Sequence, residues 1–405
     1  MSSWGDKKTS VFPQGPFSHK EHKGHKVWKW VRLGCVCSIK ARIGWQGLKK
    51  SEYLDFGNYC LVSGTDFDNG FINWGTCSHV SEWRYNQDAN IQLKNGDVLI
   101  TKDGTIGKVA YVQGMIKPTT LNSGVFVIRP TNDELHPAFL QLVFKSHYFA
   151  DFLDRITAGS TIVHLYQKDI VGFDFPIPDV DTQLQIVKSI SAIDDSIEAQ
   201  KNLIAKYEAI KKATVNLLLK TKKNWRQITL GDIGDVLMCK RILKNQTAET
   251  GDVPFYKIGT FGKTPDSFIS RAVFEDFKAR FSYPKKGDVL LSAAGTIGRT
   301  VVFNGEDAYF QDSNIVWIDN DERIVTNQFL NVLYAKMDWQ TENGGTVSRL
   351  YNDNIRNAKI AMPSLDEQKL IVAILDSIDR TIRSLKSHLA KARDIKQGMM
   401  SYFFG

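Results

Sequence analysis

Two stretches of this chain carry the same heptad seam, and that duplication constrains the fold more than any other feature. Ile186, Ile190, Ile193, Ile197, Gln200, Ile204, Tyr207, Lys211, Thr214 and Leu218 succeed one another at alternating steps of four and three. Adding 185 to each number gives Ile371, Leu375, Ile378, Ile382, Leu385, Leu389, Ala392, Lys396, Met399 and Phe403. Such spacing belongs to a long helix that packs through one stripe. Residues 181–220 contain neither Pro nor Gly. As a helix they would extend roughly 60 Å at 1.5 Å per residue. Gly398 interrupts the second stretch and predicts fraying there. Asp181-Thr-Gln183 and Asp366-Glu-Gln368 place acidic and capping groups at the two N-termini, where the helix dipole favours negative charge. The polar seam positions Gln200, Lys211, Thr214 and Lys396 weaken packing locally, and either set the register or meet a partner.

A heptad seam ordinarily signals pairing with another chain. Here a larger repeat around the seams argues for pairing within one chain. Trp28-Lys-Trp-Val-Arg-Leu33-Gly34 is echoed 197 residues later by Trp225-Arg-Gln-Ile-Thr-Leu230-Gly231. Gly96-Asp-Val-Leu-Ile100 and Gly104-Thr-Ile-Gly107-Lys108 return at an offset of 191 as Gly287-Asp-Val-Leu-Leu291 and Gly295-Thr-Ile-Gly298-Arg299. Leu165-Tyr166, Ile170, Pro178, Asp181 and Gln183 return at an offset of 185 as Leu350-Tyr351, Ile355, Pro363, Asp366 and Gln368. An ordered series with a shrinking offset is a tandem duplication whose copies differ in loop length.

Each copy predicts a small α/β unit. Short strands are expected at 97–101, 109–112 and 125–128, and in the second copy at 288–292, 300–303 and 315–318. An amphipathic helix follows near 137–153 and 327–339, and a strand ending in Pro closes each unit at 173–178 and 358–363. The expected organisation is a flexible arm over 1–27, a first α/β unit over 28–180, a central helical region over 181–224, a second α/β unit over 225–363 and a C-terminal helical region over 364–405. The fold class is α+β, with two tandem α/β domains separated by two long helices. Those helices are expected to pack on one another within the chain. The break between copies, Lys220-Thr-Lys-Lys-Asn224, reads as a solvated basic linker or a phosphate contact.

Composition excludes several classes. No run reaches the roughly 18 apolar residues that span a bilayer. Met1 to Lys26 has no apolar core of a signal peptide, so a cytoplasmic protein is expected. Five cysteines, an odd number without a C-x-x-C pair, suit a reducing compartment. Cys35-Val-Cys37 and Cys77-Ser-His79 lack the spacing of structural zinc sites, and alternation along a strand accounts for the first as well; no metal is expected. Gly259-Thr-Phe-Gly262-Lys263-Thr264 ends like a P-loop, but Lys257 stands where the first Gly belongs and Pro265 follows at once. No dinucleotide fingerprint, methyltransferase motif, zinc-protease motif or nucleophile elbow is present, so no catalytic residues are assigned. The net charge of +8 permits a nucleic-acid partner without requiring one.

What remains are polar loops at equivalent places in both copies. Lys102, Thr105 and Lys108 in one loop match Thr296 and Arg299 in the other. Ser160, Thr161 and His164 match Thr346, Ser348 and Arg349. A basic cluster follows each opening strand: Lys40, Arg42, Lys49 and Lys50, then Lys240, Arg241 and Lys244. Small, donor-rich, basic loops suit phosphates and base edges. A tight hairpin, an ordinary turn or a solvated face would also explain them.

On the Leu-Gly openings, the paired Gly-Thr-Ile-Gly loops, the Leu-Tyr boxes and the Pro-x-x-Asp-x-Gln helix starts, the chain from about Trp28 to Phe404 resembles the specificity subunits of Type I restriction–modification systems. The first helix has Asp181-Thr-Gln183 where the more usual form is Asp366-Glu-Gln368. The resemblance implies two target recognition domains that read the halves of a split, asymmetric double-stranded DNA site, and long helices that form an intramolecular antiparallel coiled coil with pseudo-two-fold symmetry. It implies two modification subunits and restriction subunits as partners. S-adenosylmethionine, ATP and Mg²⁺ are then expected on those partners, with no cofactor and no catalysis in this chain. The alternatives are a related system whose methyltransferase and nuclease are fused in one partner, a DNA enzyme with an unrecognised site, and a structural coiled-coil protein.

Overall fold

The computed structural model describes residues 28–157, 164–339 and 349–405. They divide into two compact units. The first takes the residues up to Ile197 together with Lys391–Gly405, and the second takes Glu198–Ala390. The arm over 1–27 lies outside the described residues.

Each unit is closed by a two-stranded ribbon of its opening and closing strands. Lys29–Arg32 pairs antiparallel with Asp174–Ile177, and Arg226–Thr229 pairs antiparallel with Lys359–Met362. The Leu-Gly signature sits where the ribbon enters the unit. Leu33 and Leu230 are fully buried, and their amides donate to the carbonyls of Phe173 and Ala358. A Cβ on Gly34 or Gly231 would stand 3.0 or 3.2 Å from the carbonyl oxygens of Val171 and Arg356. The repeated Leu-Gly therefore records close packing.

The sheets repeat the same plan. In the first unit the order is Cys37–Ala41, Val125–Pro130, Val98–Thr101, Val109–Tyr111, then the hairpin strands Phe71–Ile72 and Phe67–Asp68. In the second it is Val236–Leu237, Ile315–Ile318, Val289–Ser292 and Thr300–Val302, with no such hairpin among the described residues. A three-stranded sheet accompanies each. Tyr59–Val62 lies antiparallel to Ser78–Val80 and parallel to Thr119–Leu121. Val253–Tyr256 lies antiparallel to Phe268–Ile269 and parallel to Tyr309–Phe310. The helix expected near 137–153 is two, Pro137–Phe144 and His147–Thr157, because Ser146 turns its amide and hydroxyl back onto the Val143 carbonyl. Its counterpart is Asn327–Lys336.

The long helices run Val180–Leu218 and Leu365–Phe404. Their caps differ from the sequence reading. Asp179 Oδ1 accepts from the Thr182 amide, and Ser364 Oγ accepts from the Glu367 amide. Gln183 and Gln368 are instead fully buried clamps. Gln183 Oε1 accepts from the His136 amide, while Nε2 donates to the carbonyls of Glu134 and Pro178. Gln368 repeats this with Thr326, Ile324 and Pro363. The helix also runs through Gly398 without fraying. Met399, Met400, Phe403 and Phe404 pack into the first unit's core with Ile186 and Ile190. Burying one such side chain contributes about 1.5–3 kcal/mol, which outweighs the roughly 1 kcal/mol penalty of a helical Gly.

Within each unit the seam is the covered stripe. Ile186, Ile190, Ile197 and Ala392 are buried in the first unit, and Ile204, Ile371, Leu375 and Ile382 in the second. Ile193, Leu218, Ile378, Leu385, Leu389 and Phe403 are half-buried. Two polar seam positions form ion pairs across the helices. Lys396 Nζ lies 2.5 Å from Asp194, and Lys211 Nζ lies 2.6 and 2.8 Å from the two oxygens of Asp379. Lys386 and Glu208 join at 2.7 Å, so the pairing within the second unit is antiparallel. The Lys396–Asp194 pair and the shared core of Ile186, Ile190 and Phe404 give the same direction in the first.

Candidate nucleic-acid interface

Strand register gathers the candidate loops at one end of each main sheet. Ala41 stands opposite Phe126, and Val125 stands opposite Thr101. The segments after Ala41, after Thr101 and before Val125 therefore leave from the same end. The Leu165 amide donates to the Lys102 carbonyl and brings the fourth segment there. In the second unit Leu237 stands opposite Trp317, and Ile315 opposite Ser292. The Leu350 amide donates to the Ala293 carbonyl.

The Gly-Thr-Ile-Gly loops are hairpins locked by one hydroxyl. Thr101 Oγ1 donates to the Thr105 carbonyl at 2.5 Å and accepts from the Lys108 amide at 2.9 Å. Ser292 repeats both bonds with Thr296 and Arg299, at 2.5 and 2.9 Å. Gly107 and Gly298 have φ of 78° and 84°. A Cβ there would meet Leu153 at 2.4 Å or Trp339 at 2.6 Å. Any side chain would strain the backbone and displace the helix-side cover. The tight hairpin and the exposed loop are thus one object: its base is structural and its tip, with Thr105, Lys108 and Thr296, is exposed.

Several basic candidates are committed to the protein. Arg42 is buried, and this corrects its assignment to a surface cluster. Its guanidinium donates to the Leu121 carbonyl, Gln87 Oε1 and Thr120 Oγ1. Burial, then the neighbouring Arg84 cation, lowers its pKa from the ordinary value. Lys102 is mostly covered, paired with Asp103 and set over the Phe126 ring. Arg299 donates to the Phe261 carbonyl. Arg349 bridges to Ala294 and donates to the Ser313 carbonyl. His164 pairs with Asp103. Lys40, Lys49, Lys50, Lys108, Lys240, Arg241 and Lys244 remain exposed, with Arg241 Nε at 3.5 Å from Asp312. Ser160, Thr161, Thr346 and Ser348 lie outside the described residues.

The structure adds residues that basic-cluster reading passed over. Trp45, Trp83, Tyr166 and Tyr351 are exposed aromatics around these loops. The Leu-Tyr repeat was the available signal for the tyrosines: its Leu is buried and its Tyr faces out. In the linker, Lys222 pairs with Glu367 at 2.5 Å, and Trp225 Nε1 donates to the same carboxylate at 3.2 Å. Cys35 is exposed in the helical turn Leu33–Val36 and Cys37 is buried at the next strand's start, so the two do not alternate along a strand. Among the described residues no cluster of three or more His, Cys, Asp or Glu is placed to hold a metal, and no helix is long and apolar enough to cross a membrane.

Comparison with known proteins is consistent along most of the chain. The family model described as the Type I restriction modification DNA specificity domain matches twice, over residues 25–209 and 222–392. A putative type I restriction enzyme specificity subunit of Haemophilus influenzae is 42% identical over 316 residues, 76% of this chain and 80% of that protein. The MjaX relative of Methanocaldococcus jannaschii, also a putative specificity subunit, is 24% identical and covers 86% of this chain and 87% of its own. Among solved structures, the S subunit from M. genitalium aligns with a TM-score of 0.57 at 15% identity, covering 96% of this chain and 98% of that one. The HsdS subunit from Thermoanaerobacter tengcongensis gives 0.51 at 20% identity, over 96% and 98%.

Proposed function

The chain belongs to the Type I restriction–modification DNA specificity family, and from that premise we propose that its two units read the two halves of a split, asymmetric double-stranded DNA site. One observation carries this reading. Each unit brings equivalent loops to the same end of an equivalent sheet, while the side chains on those loops differ between the copies. A shared frame with divergent loops is what two modules need to recognise unlike sequences. Exposed Lys and Arg contact phosphates and position each unit, and loop side chains read base edges.

The partners are modification and restriction subunits. The long helices support two equivalent docking sites for modification subunits. Leu203, Ile210 and Leu217 are exposed at steps of seven on the first helix, and Ile395 and Tyr402 stand exposed 185 residues after the last two. S-adenosylmethionine, ATP and Mg²⁺ belong on those partners, and this chain contributes specificity without chemistry. The purified chain alone should neither transfer methyl groups nor cleave DNA when all three are supplied; either activity would overturn that division of labour. Selection of bound sequences from a random DNA library by the assembled complex tests the reading as a whole. The expected motif is two short specified blocks around an unspecified gap. A single undivided or palindromic motif would contradict it.

A further inference from the structure

Packing explains many of the residues that the two copies share. Leu165, Ile170 and Gln183 are buried, and so are their counterparts Leu350, Ile355 and Gln368. Tyr166 and Tyr351 are shared as well, yet they are 53% and 67% exposed. Neither phenol hydroxyl makes a hydrogen bond among the described residues. The fold does not require an oxygen at that place, and it is present in both units.

The two tyrosines hold equivalent places. The Leu165 amide donates to the Lys102 carbonyl at 3.0 Å, and the Leu350 amide donates to the Ala293 carbonyl at 2.7 Å. Lys102 and Ala293 directly follow Thr101 and Ser292, whose hydroxyls lock the Gly-Thr-Ile-Gly hairpins. Each tyrosine then opens a short helix, Gln167–Ile170 or Asn352–Arg356, with φ and ψ of −83° and 148° or −92° and 159°. The Tyr166 carbonyl accepts from the Ile170 amide and the Tyr351 carbonyl from the Ile355 amide, both at 3.2 Å. Their neighbours diverge. His164, Gln167 and Lys168 in the first unit stand where Arg349, Asn352 and Asp353 stand in the second. The Lys168 ammonium lies 5.5 Å from the centre of the Tyr166 ring.

Resting on the function proposed above, we infer that Tyr166 and Tyr351 are equivalent phosphate contacts: each donates its O–H to a sugar–phosphate oxygen at the same place in its own half-site. Two units that recognise unlike sequences have no base in common at matched positions. What both half-sites offer alike is the DNA backbone, which tyrosine hydroxyls contact without reading sequence. An exposed side chain kept at one place among diverging neighbours, beside a hairpin that faces the interface, suits that common element. The contact gives the two units one docking pose and leaves their base preferences to the residues that differ.

The test uses the full chain assembled with its modification subunits, bound to the DNA motif selected by the wild type. Tyr166→Phe and Tyr351→Phe should each weaken binding about fivefold, the loss of one neutral hydrogen bond. The loss should be equal on matched and singly mismatched sites, and the selected motif should stay unchanged. The salt slope should also stay unchanged, because a phenol carries no charge and releases no counterion. Single methylphosphonates placed along each half-site then locate the contact. At one phosphate of the first half-site the wild type should lose about fivefold more than Tyr166→Phe, and at the corresponding phosphate of the second it should lose about fivefold more than Tyr351→Phe. A motif altered at any base pair by either variant would overturn the inference, as would undiminished binding or phosphates at unlike places in the two halves. Impaired assembly with the modification subunits in the absence of DNA would also overturn it, as would a fall in unfolding stability. A wild-type complex with no split preference would instead defeat the functional reading beneath it.

Discussion

The ion pairs across the long helices give the sharpest handle on register. Asp379 stands 185 residues after Asp194, and Lys396 stands 185 after Lys211, so the two bridges are each other's counterparts. Consider Asp379→Lys, alone and combined with Lys211→Asp. The wild-type ammonium sits 2.6 and 2.8 Å from the two carboxylate oxygens, with side chains 39% and 29% exposed. At an effective dielectric of about 40 and a charge separation of about 3 Å, the gross attraction is about 3 kcal/mol. Desolvation and side-chain ordering leave roughly 1 kcal/mol net. Two lysines held at about 5 Å would add about 1.5 kcal/mol of repulsion. The single reversal should therefore cost roughly 2–3 kcal/mol. For a unit of about 190 residues that lowers Tm by about 4–10 °C. The double exchange should recover most of it. Thermal and urea unfolding of the full chain would read both. A double exchange as unstable as Asp379→Lys would refute the pairing.

Three further outcomes are expected. Gln183→Leu strands the His136 amide and two carbonyls, so urea unfolding should show a loss of roughly 2–4 kcal/mol, with Gln368→Leu doing the same in the second unit. Arg42→Ala should lower the melting temperature and leave the salt dependence of DNA binding unchanged, whereas Lys49→Ala should do the reverse, reducing the salt slope by about one. Burial, then the nearby Lys396 cation, pushes the Lys145 ammonium down to about 8, with Asp194 opposing. The unfolded chain then binds more protons between that value and the ordinary lysine range, so stability should rise with pH from about 8 to 10.5, and Lys145→Met should flatten that rise in a pH series of unfolding curves.

The repeat carried most of the fold because each matched motif marks a backbone constraint. Leu-Gly marks a close approach, Gly-Thr-Ile-Gly marks a hydroxyl-locked hairpin, and the Pro-x-x-Asp-x-Gln box marks a buried clamp. Local signals misled where tertiary packing decides. Gly398 looked like a fraying point, yet Phe404 is anchored in a core that heptad spacing does not reveal. Gln183 looked like a cap because its burial depends on Glu134 and His136, far away in sequence. The candidate loops were legible in position and poorly legible in detail. Charge alone does not separate Arg42, whose donors are spent internally, from Lys49, which faces solvent. Nor does a search for basic clusters find Trp45, whose exposure follows from a turn held by Arg84.

The most direct test of two independent reading units is the target of a chimera in which residues 225–363 are replaced by the corresponding domain of another family member. Sequencing the methylated sites in cells that carry the chimera and its modification subunits gives the answer. The expected motif keeps one half and the gap and exchanges the other half. A motif altered in both halves, or in neither, would contradict modular recognition.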